Sequence, residues 1–175
     1  MGVMDLKNKI RTIPDFPEPG ILFRDITTLL SEPQAFREII ELFEAHYSSE
    51  DIDLVVGVES RGFIIGAALA LQLGKGFVPV RKAGKLPGPT HGVDYDLEYG
   101  TDRVEVHKDA FPSGSRILMV DDLIATGGTI EGSGQLIEKA GGIIVGYAFV
   151  IELIDLKGRD RLKHPIYSLV TFEGD

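Results

Sequence analysis

Apolar positions along the chain follow two rhythms. Compact apolar runs read as strands: DLVVGV from Asp53, GFVPV from Gly76, RILMVDD from Arg116, IIVGYAFVIEL from Ile143 and IYSLVTF from Ile166. Between them lie segments whose apolar residues recur every three to four positions. SEPQAFREIIELFEAHY places Phe36, Ile39, Ile40 and Phe43 at helical spacing, with Ser31 as its N-cap and Pro33 in its first turn. RGFIIGAALALQLG predicts a helix after the DLVVGV strand, and TIEGSGQLIEKAG another after RILMVDD. Strands alternating with helices imply an α/β fold: a mainly parallel sheet with helices on both faces and right-handed βαβ connections.

Three stretches interrupt this pattern. MDLKNKIRTI predicts a short helix with Leu6, Ile10 and Ile13 on one face, and the three prolines of PDFPEPG then stop it, leaving an extended hood or arm. The run from Arg81 to Gly92, RKAGKLPGPTHG, has no periodicity and reads as a long loop, of the kind that serves as a lid or binding loop. YDLEY and RVEVH alternate as an antiparallel pair around a GTD turn, an insertion into the otherwise parallel sheet. With no repeat or linker in view, residues 1–175 are expected to form one domain, with the hood over 1–30 and the lid over 81–99.

Composition narrows the partners. A net charge of −9 argues against a broad surface for nucleic acid or anionic lipid, so any anionic ligand must be met by cations gathered locally. The absence of cysteine excludes disulfides, thiolate metal sites and a cysteine nucleophile. His46, His91, His107 and His164 show no metal-ligand spacing. The N-terminus has no apolar core suited to a signal peptide, and no apolar run approaches membrane-spanning length, so a soluble, cytoplasmic protein is expected.

The chemistry concentrates in RILMVDDLIATGGTI, residues 116–130. An apolar strand runs into Asp121 and Asp122, then into a loop, Ala125, Thr126, Gly127, Gly128 and Thr129, that opens a helix. In parallel sheets ligands sit beyond the C-terminal strand ends, and the N-H groups at a helix start, reached through glycines, can cradle a phosphate. The plainer reading is a strand end followed by a capped helix. Gly132 and Gly134 each weaken the next helix by about 1 kcal/mol relative to alanine, which functional constraint or packing could explain. Neither a lysine-bearing P-loop nor a dinucleotide G-x-G-x-x-G occurs.

ILMVDDLIATGGT resembles the signature of the type I phosphoribosyltransferases. FPEPGILFRDIT, VESRGFIIG and RKAGKLPGPT...YDLEYG resemble, in order and spacing, the matching segments of the adenine-specific members, over nearly the whole chain. The resemblance implies transfer of a 5-phosphoribosyl group from phosphoribosyl pyrophosphate to adenine, giving AMP and pyrophosphate with inversion through an oxocarbenium-like transition state. It implies that Ala125, Thr126, Gly127, Gly128 and Thr129 bind the 5-phosphate and that Asp121 and Asp122 accept from the ribose 2- and 3-hydroxyls. Arg61, otherwise readable as a surface ion pair at a helix start, would face pyrophosphate. Arg81, Lys82 and Lys85, otherwise a solvated loop, would serve the leaving group, with Mg2+ bridging its oxygens.

By alternation alone, Asp94, Asp96 and Glu98 form a polar outer face. The match to LEYG instead implies that Glu98 hydrogen-bonds the purine N7 and assists its protonation. The hood would read the base: Phe23 and Leu123 sandwich the ring, and backbone groups around Leu22 and Arg24 meet its edge. A homodimer is also implied. The competing readings are a 6-oxopurine transferase of the same fold and a non-catalytic sensor of phosphoribosyl pyrophosphate.

Overall fold

The computed structural model describes residues 5–97 and 100–174. The chain opens with an antiparallel ribbon, β1 (Arg11–Pro14) and β2 (Leu22–Asp25), in which Thr12 pairs with Arg24 and Ile13 with Phe23. Helices α1 (Thr27–Leu30) and α2 (Pro33–Tyr47) come next, then β3 (Leu54–Val58), α3 (Arg61–Leu73) and β4 (Gly76–Lys82). An antiparallel pair, β5 (Thr90–Asp96) and β6 (Thr101–His107), precedes β7 (Arg116–Ile124), α4 (Gly128–Lys139), β8 (Ile143–Leu153) and β9 (Ile166–Phe172).

The main sheet has the spatial order β5-β6-β4-β3-β7-β8-β9. From β4 to β9 its pairings are parallel, and β6 and β5 extend the β4 edge antiparallel. This is the helix-covered, mainly parallel sheet that the alternation of strands and helices predicts. Successive residues of its buried strands serve opposite faces. Val55, Leu118 and Val150 pack with Ile39 and Phe43 of α2 and Ile65 and Leu69 of α3, whereas Val56, Met119 and Phe149 pack with Ile130, Leu136 and Ile137 of α4. Each such side chain taken from water contributes about 1.5–3 kcal/mol, which fixes the helices flanking the strand ends.

The structure departs from expectation at the edges. The N-terminal helix is a single 3-10 turn, Lys7–Lys9; Leu6 and Ile10 are buried as the stripe requires, but Thr12 and Ile13 are β-branched and the ladder to β2 draws residues 11–14 into a strand. Ser31 does not cap α2. Glu32 holds that position, and the Ser31 hydroxyl donates to the Thr28 carbonyl at 2.8 Å, closing α1 instead. The long loop shrinks to residues 83–89, because Arg81 and Lys82 pair with Glu105 and Val104, and His91 and Gly92 with Val106 and Glu105. Packing accounts for the helix glycines: a Cβ on Gly132 would stand 2.7 Å from Tyr95 Cβ, and one on Gly134 2.5 Å from the Tyr147 hydroxyl.

Candidate active site

β3, β4 and β7 point their C-terminal ends at one cleft of about 600 Å³. Its first wall is a single continuous segment. β7 runs two residues past the paired carboxylates, because Leu123 and Ile124 still pair with Ile151 and Glu152 of β8, so Asp121 and Asp122 lie inside the strand. Beyond them Ala125, Thr126, Gly127, Gly128 and Thr129 line the cleft, with Gly127 at φ 84° turning the chain into α4. The first N-H groups of a helix have no partner inside it and carry the positive end of its dipole, so this wall presents donors to an anion. Thr126 and Thr129 line the cleft among them.

The two carboxylates differ. Asp122 is 4% exposed and its Oδ2 accepts from Arg61 Nε at 2.5 Å. Burial and the adjacent Asp122 push the Asp121 carboxyl well above its ordinary range, against the pull of the Asp122 N-H, which donates to its Oδ1 at 2.8 Å, and of Arg61. The floor of the cleft therefore holds one ion-paired carboxylate and one that lacks enough donors to settle its charge. Hydroxyl groups of a ligand would supply them.

The second wall is assembled from separate elements. Glu59, at the end of β3 and joined to Ser60 by a cis peptide, sends its carboxylate toward β4. It accepts from the Lys82 N-H at 2.9 Å, Lys85 Nζ at 3.0 Å and Arg81 Nε at 3.2 Å. Burial would raise this carboxyl, but these three donors outweigh it and hold it below its ordinary 4.5. Lys82 Nζ donates to Asp102 Oδ2 at 2.6 Å, and Tyr95 completes the group by donating to the same oxygen at 3.3 Å. Lys82 and Lys85 line the cleft; Arg81 stands behind them with its guanidinium 6.0 Å from the Phe63 ring.

The hood contributes from the rim. Leu123 lines the cleft, whereas Leu22, Phe23 and Arg24 do not. Phe23 reaches it through Arg61, whose guanidinium lies 5.4 Å from the ring centre, and Phe16 meets Phe23 edge-on at 5.2 Å. The Arg24 side chain turns inward, donating to Thr12 Oγ1 at 2.8 Å and stacking 4.2 Å over the Phe172 ring. Glu98 lies outside the described residues; its neighbour Leu97 is 43% exposed and lines the cleft.

Known proteins share this fold. The model of the phosphoribosyl transferase domain matches residues 25–173. A protein of Acaryochloris marina named adenine phosphoribosyltransferase is 60% identical over 159 residues, covering 91% of this chain and 94% of that protein. The chain belongs to the adenine phosphoribosyltransferase family. The crystal structure of the adenine phosphoribosyltransferase from Thermoanaerobacter pseudethanolicus superposes with a TM-score of 0.94 at 49% identity, covering 98% of this chain and 100% of that one. The Saccharomyces cerevisiae adenine phosphoribosyltransferase, solved with D-2,5-dideoxy-2,5-imino-altritol 1,6-bisphosphate and adenine, superposes at 0.91 and 45% identity, over 95% and 97% of the two chains.

Within this adenine phosphoribosyltransferase fold, the structure gathers Arg61, Lys82, Lys85, Asp121, Asp122, Leu123 and residues 125–129 around one cleft. Sequence reasoning missed Glu59 and Asp102, the carboxylates that engage the cations. Glu59 carried a faint signal, an acid at the end of an apolar strand immediately before Ser60 and Arg61; Asp102 carried none. Among the described residues, no helix is long and apolar enough to cross a membrane.

Proposed function

We propose that this cleft transfers the 5-phosphoribosyl group of phosphoribosyl pyrophosphate to adenine, forming AMP and pyrophosphate. One observation carries the reading: a backbone anion cradle and two adjacent carboxylates face a cationic wall across a space of about 600 Å³. Phosphate at one end, vicinal hydroxyls in the middle and pyrophosphate at the other are what these groups match. The names of the family's members supply the base.

In this reading residues 125–129 hold the 5-phosphate, and Asp121 and Asp122 accept from the ribose hydroxyls. Arg61, Lys82 and Lys85, backed by Arg81, face the pyrophosphate and stabilise the charge that develops on it as the C1–O bond breaks. Phe23 and Leu123 flank the adenine while backbone groups of Leu22 and Arg24 meet its edge, directing N9 at C1. Glu98 hydrogen-bonds N7 and takes its proton as N9 attacks C1, and it returns that proton to N7 in the reverse direction. Residues 81–99 act as the lid that keeps water from competing with N9, and residues 1–30 as the hood.

Among the described residues, no three acidic or histidine side chains converge to hold a metal ion. Mg2+ would instead be held mainly by the oxygens of the substrate pyrophosphate, since it takes most of its ligands from phosphates and water. When bound it neutralises charge on the leaving pyrophosphate.

The enzyme acts as a homodimer. Ile64 is 46% and Leu71 83% exposed on one face of α3, an apolar stripe suited to a second copy. A chain without cysteine needs no oxidising compartment, which suits the cytoplasm.

The test is a competitive assay of purified protein with phosphoribosyl pyrophosphate, offered adenine, hypoxanthine, guanine and xanthine, with Mg2+ and with chelator. AMP is expected as the dominant product, dependent on the metal. No AMP from adenine would sink the reading, preference for a 6-oxopurine would move it within the fold, and turnover in chelator would remove the metal. Sedimentation of the same preparation as a monomer would remove the dimer, and cell fractionation finding it outside the cytoplasm would remove the location.

A further inference from the structure

The segment behind the phosphate loop comes from a distant part of the chain. After β8, the backbone makes a 3-10 turn at Gly158–Arg161 that folds back onto residues 125–127. The approach is backbone to backbone. A Cβ on Gly158 would stand 2.2 Å from the Ala125 carbonyl oxygen and 3.0 Å from the Gly127 nitrogen; a Cβ on Gly127 would stand 2.7 Å from the Gly158 carbonyl oxygen. Nothing larger than glycine fits on either side.

The turn is fastened at two points. Glu152, 3% exposed at the end of β8, accepts both Arg159 Nε at 2.8 Å and Arg159 Nη2 at 2.6 Å, one on each carboxylate oxygen. Glu152 is also the β8 residue paired with Ile124, the last residue of β7 before the loop. Arg161 Nη1 donates to Glu131 Oε2 of α4 at 3.0 Å, tying the turn to the helix that the loop opens. A two-pronged guanidinium–carboxylate contact fixes orientation as well as distance, and a buried carboxylate demands it.

We propose that Gly158 and the Glu152–Arg159 pair are positioning residues for the phosphate loop. The inference rests on the assignment of residues 125–129 to the 5-phosphate. A site made of backbone N-H groups has no long side chain to reach for its ligand, so its affinity depends on the loop being held ready before the ligand arrives. The Gly158 backbone supports the loop from behind, and Arg159 keeps Gly158 there.

Binding of ribose 5-phosphate, AMP and Mg2+-pyrophosphate to Arg159→Met, Arg159→Lys and Gly158→Ala, measured by calorimetry, separates this from a general structural role. Ribose 5-phosphate and AMP are expected to weaken about tenfold in Arg159→Met and Gly158→Ala, and less in Arg159→Lys, while pyrophosphate stays within about twofold. Unchanged ribose 5-phosphate binding in folded variants, or equal weakening of all three ligands, overturns the proposal. If Arg159→Met does not fold, the other two variants carry the same test. Thr126→Asp, which puts a carboxylate in the cradle, tests the underlying assignment. Normal ribose 5-phosphate binding there removes the phosphate site and the brace with it; weakened binding there but normal binding in the Arg159 and Gly158 variants removes only the brace.

Discussion

The two walls of the cleft solve the problem of holding anions on a −9 protein in opposite ways. The β7–α4 wall uses backbone, in one stretch of fifteen consecutive residues from Arg116 to Ile130, and brings no net positive charge of its own. The β3–β4 wall uses side chains brought together by the sheet, and its cations are already engaged by Glu59 and Asp102. A backbone cradle needs only shape. A cationic wall without a ligand needs internal counter-charges, and a pyrophosphate must compete with them. The first wall is suited to gripping the part of the substrate that stays, the second to meeting the part that leaves.

This division can be broken by experiment. The largest effect is expected for Glu98→Gln, which should lower kcat by about 10²-fold or more while leaving the KM for phosphoribosyl pyrophosphate within about threefold. Near-normal turnover would remove Glu98 from the chemistry. Next comes Asp122→Ala, which would delete the proposed ribose acceptor and strips Arg61 of its ion-pair partner; KM for phosphoribosyl pyrophosphate should rise roughly 10- to 100-fold. A fall in kcat with KM unchanged would mean that this wall works in the transition state and not as the grip.

Glu59→Gln should have the smallest effect. With the competing carboxylate gone, inhibition by pyrophosphate should tighten about threefold, an effect that salt reduces; weaker inhibition would show that Glu59 orients the cations more than it competes for them. The same variant carries a stability test. Because the folded state holds the Glu59 carboxyl below its ordinary 4.5, its stabilising contribution is complete above the ordinary carboxylate range and lost as pH falls through the lowered value. Thermal unfolding should therefore drop more steeply with acid in the parent protein than in Glu59→Gln. Parallel curves would contradict the pairing.

Legibility in the sequence divides along the same line. The stretch from Arg116 to Ile130 keeps its chemistry in order along the chain, so strand, carboxylates and cradle are legible together. A strand ending at Asp122 is two residues too short, since Leu123 and Ile124 remain paired only because β8 extends beside them. The pairings of Glu59 with Lys85 and Asp102 with Lys82 span 26 and 20 residues and depend on which strands become neighbours, which no local pattern encodes. The same holds for Gly158 behind Gly127. The N-terminal 3-10 turn departs from the helical reading for a related reason: Leu6 and Ile10 are spaced for a helix, but the partner strand β2 sets the conformation of residues 11–14.

The contact between Gly132 and Tyr95 has a mechanical side. Tyr95 lies on β5, three residues before Glu98, and its Cβ is seated where a side chain on α4 would otherwise stand. The ribbon thus rests on the helix that opens one wall of the cleft, through one aromatic residue and the width of a missing methyl group. Any swing of the ribbon must pivot on that point or lift off it, so the place of β5 is gauged from the same helix that opens at Gly128.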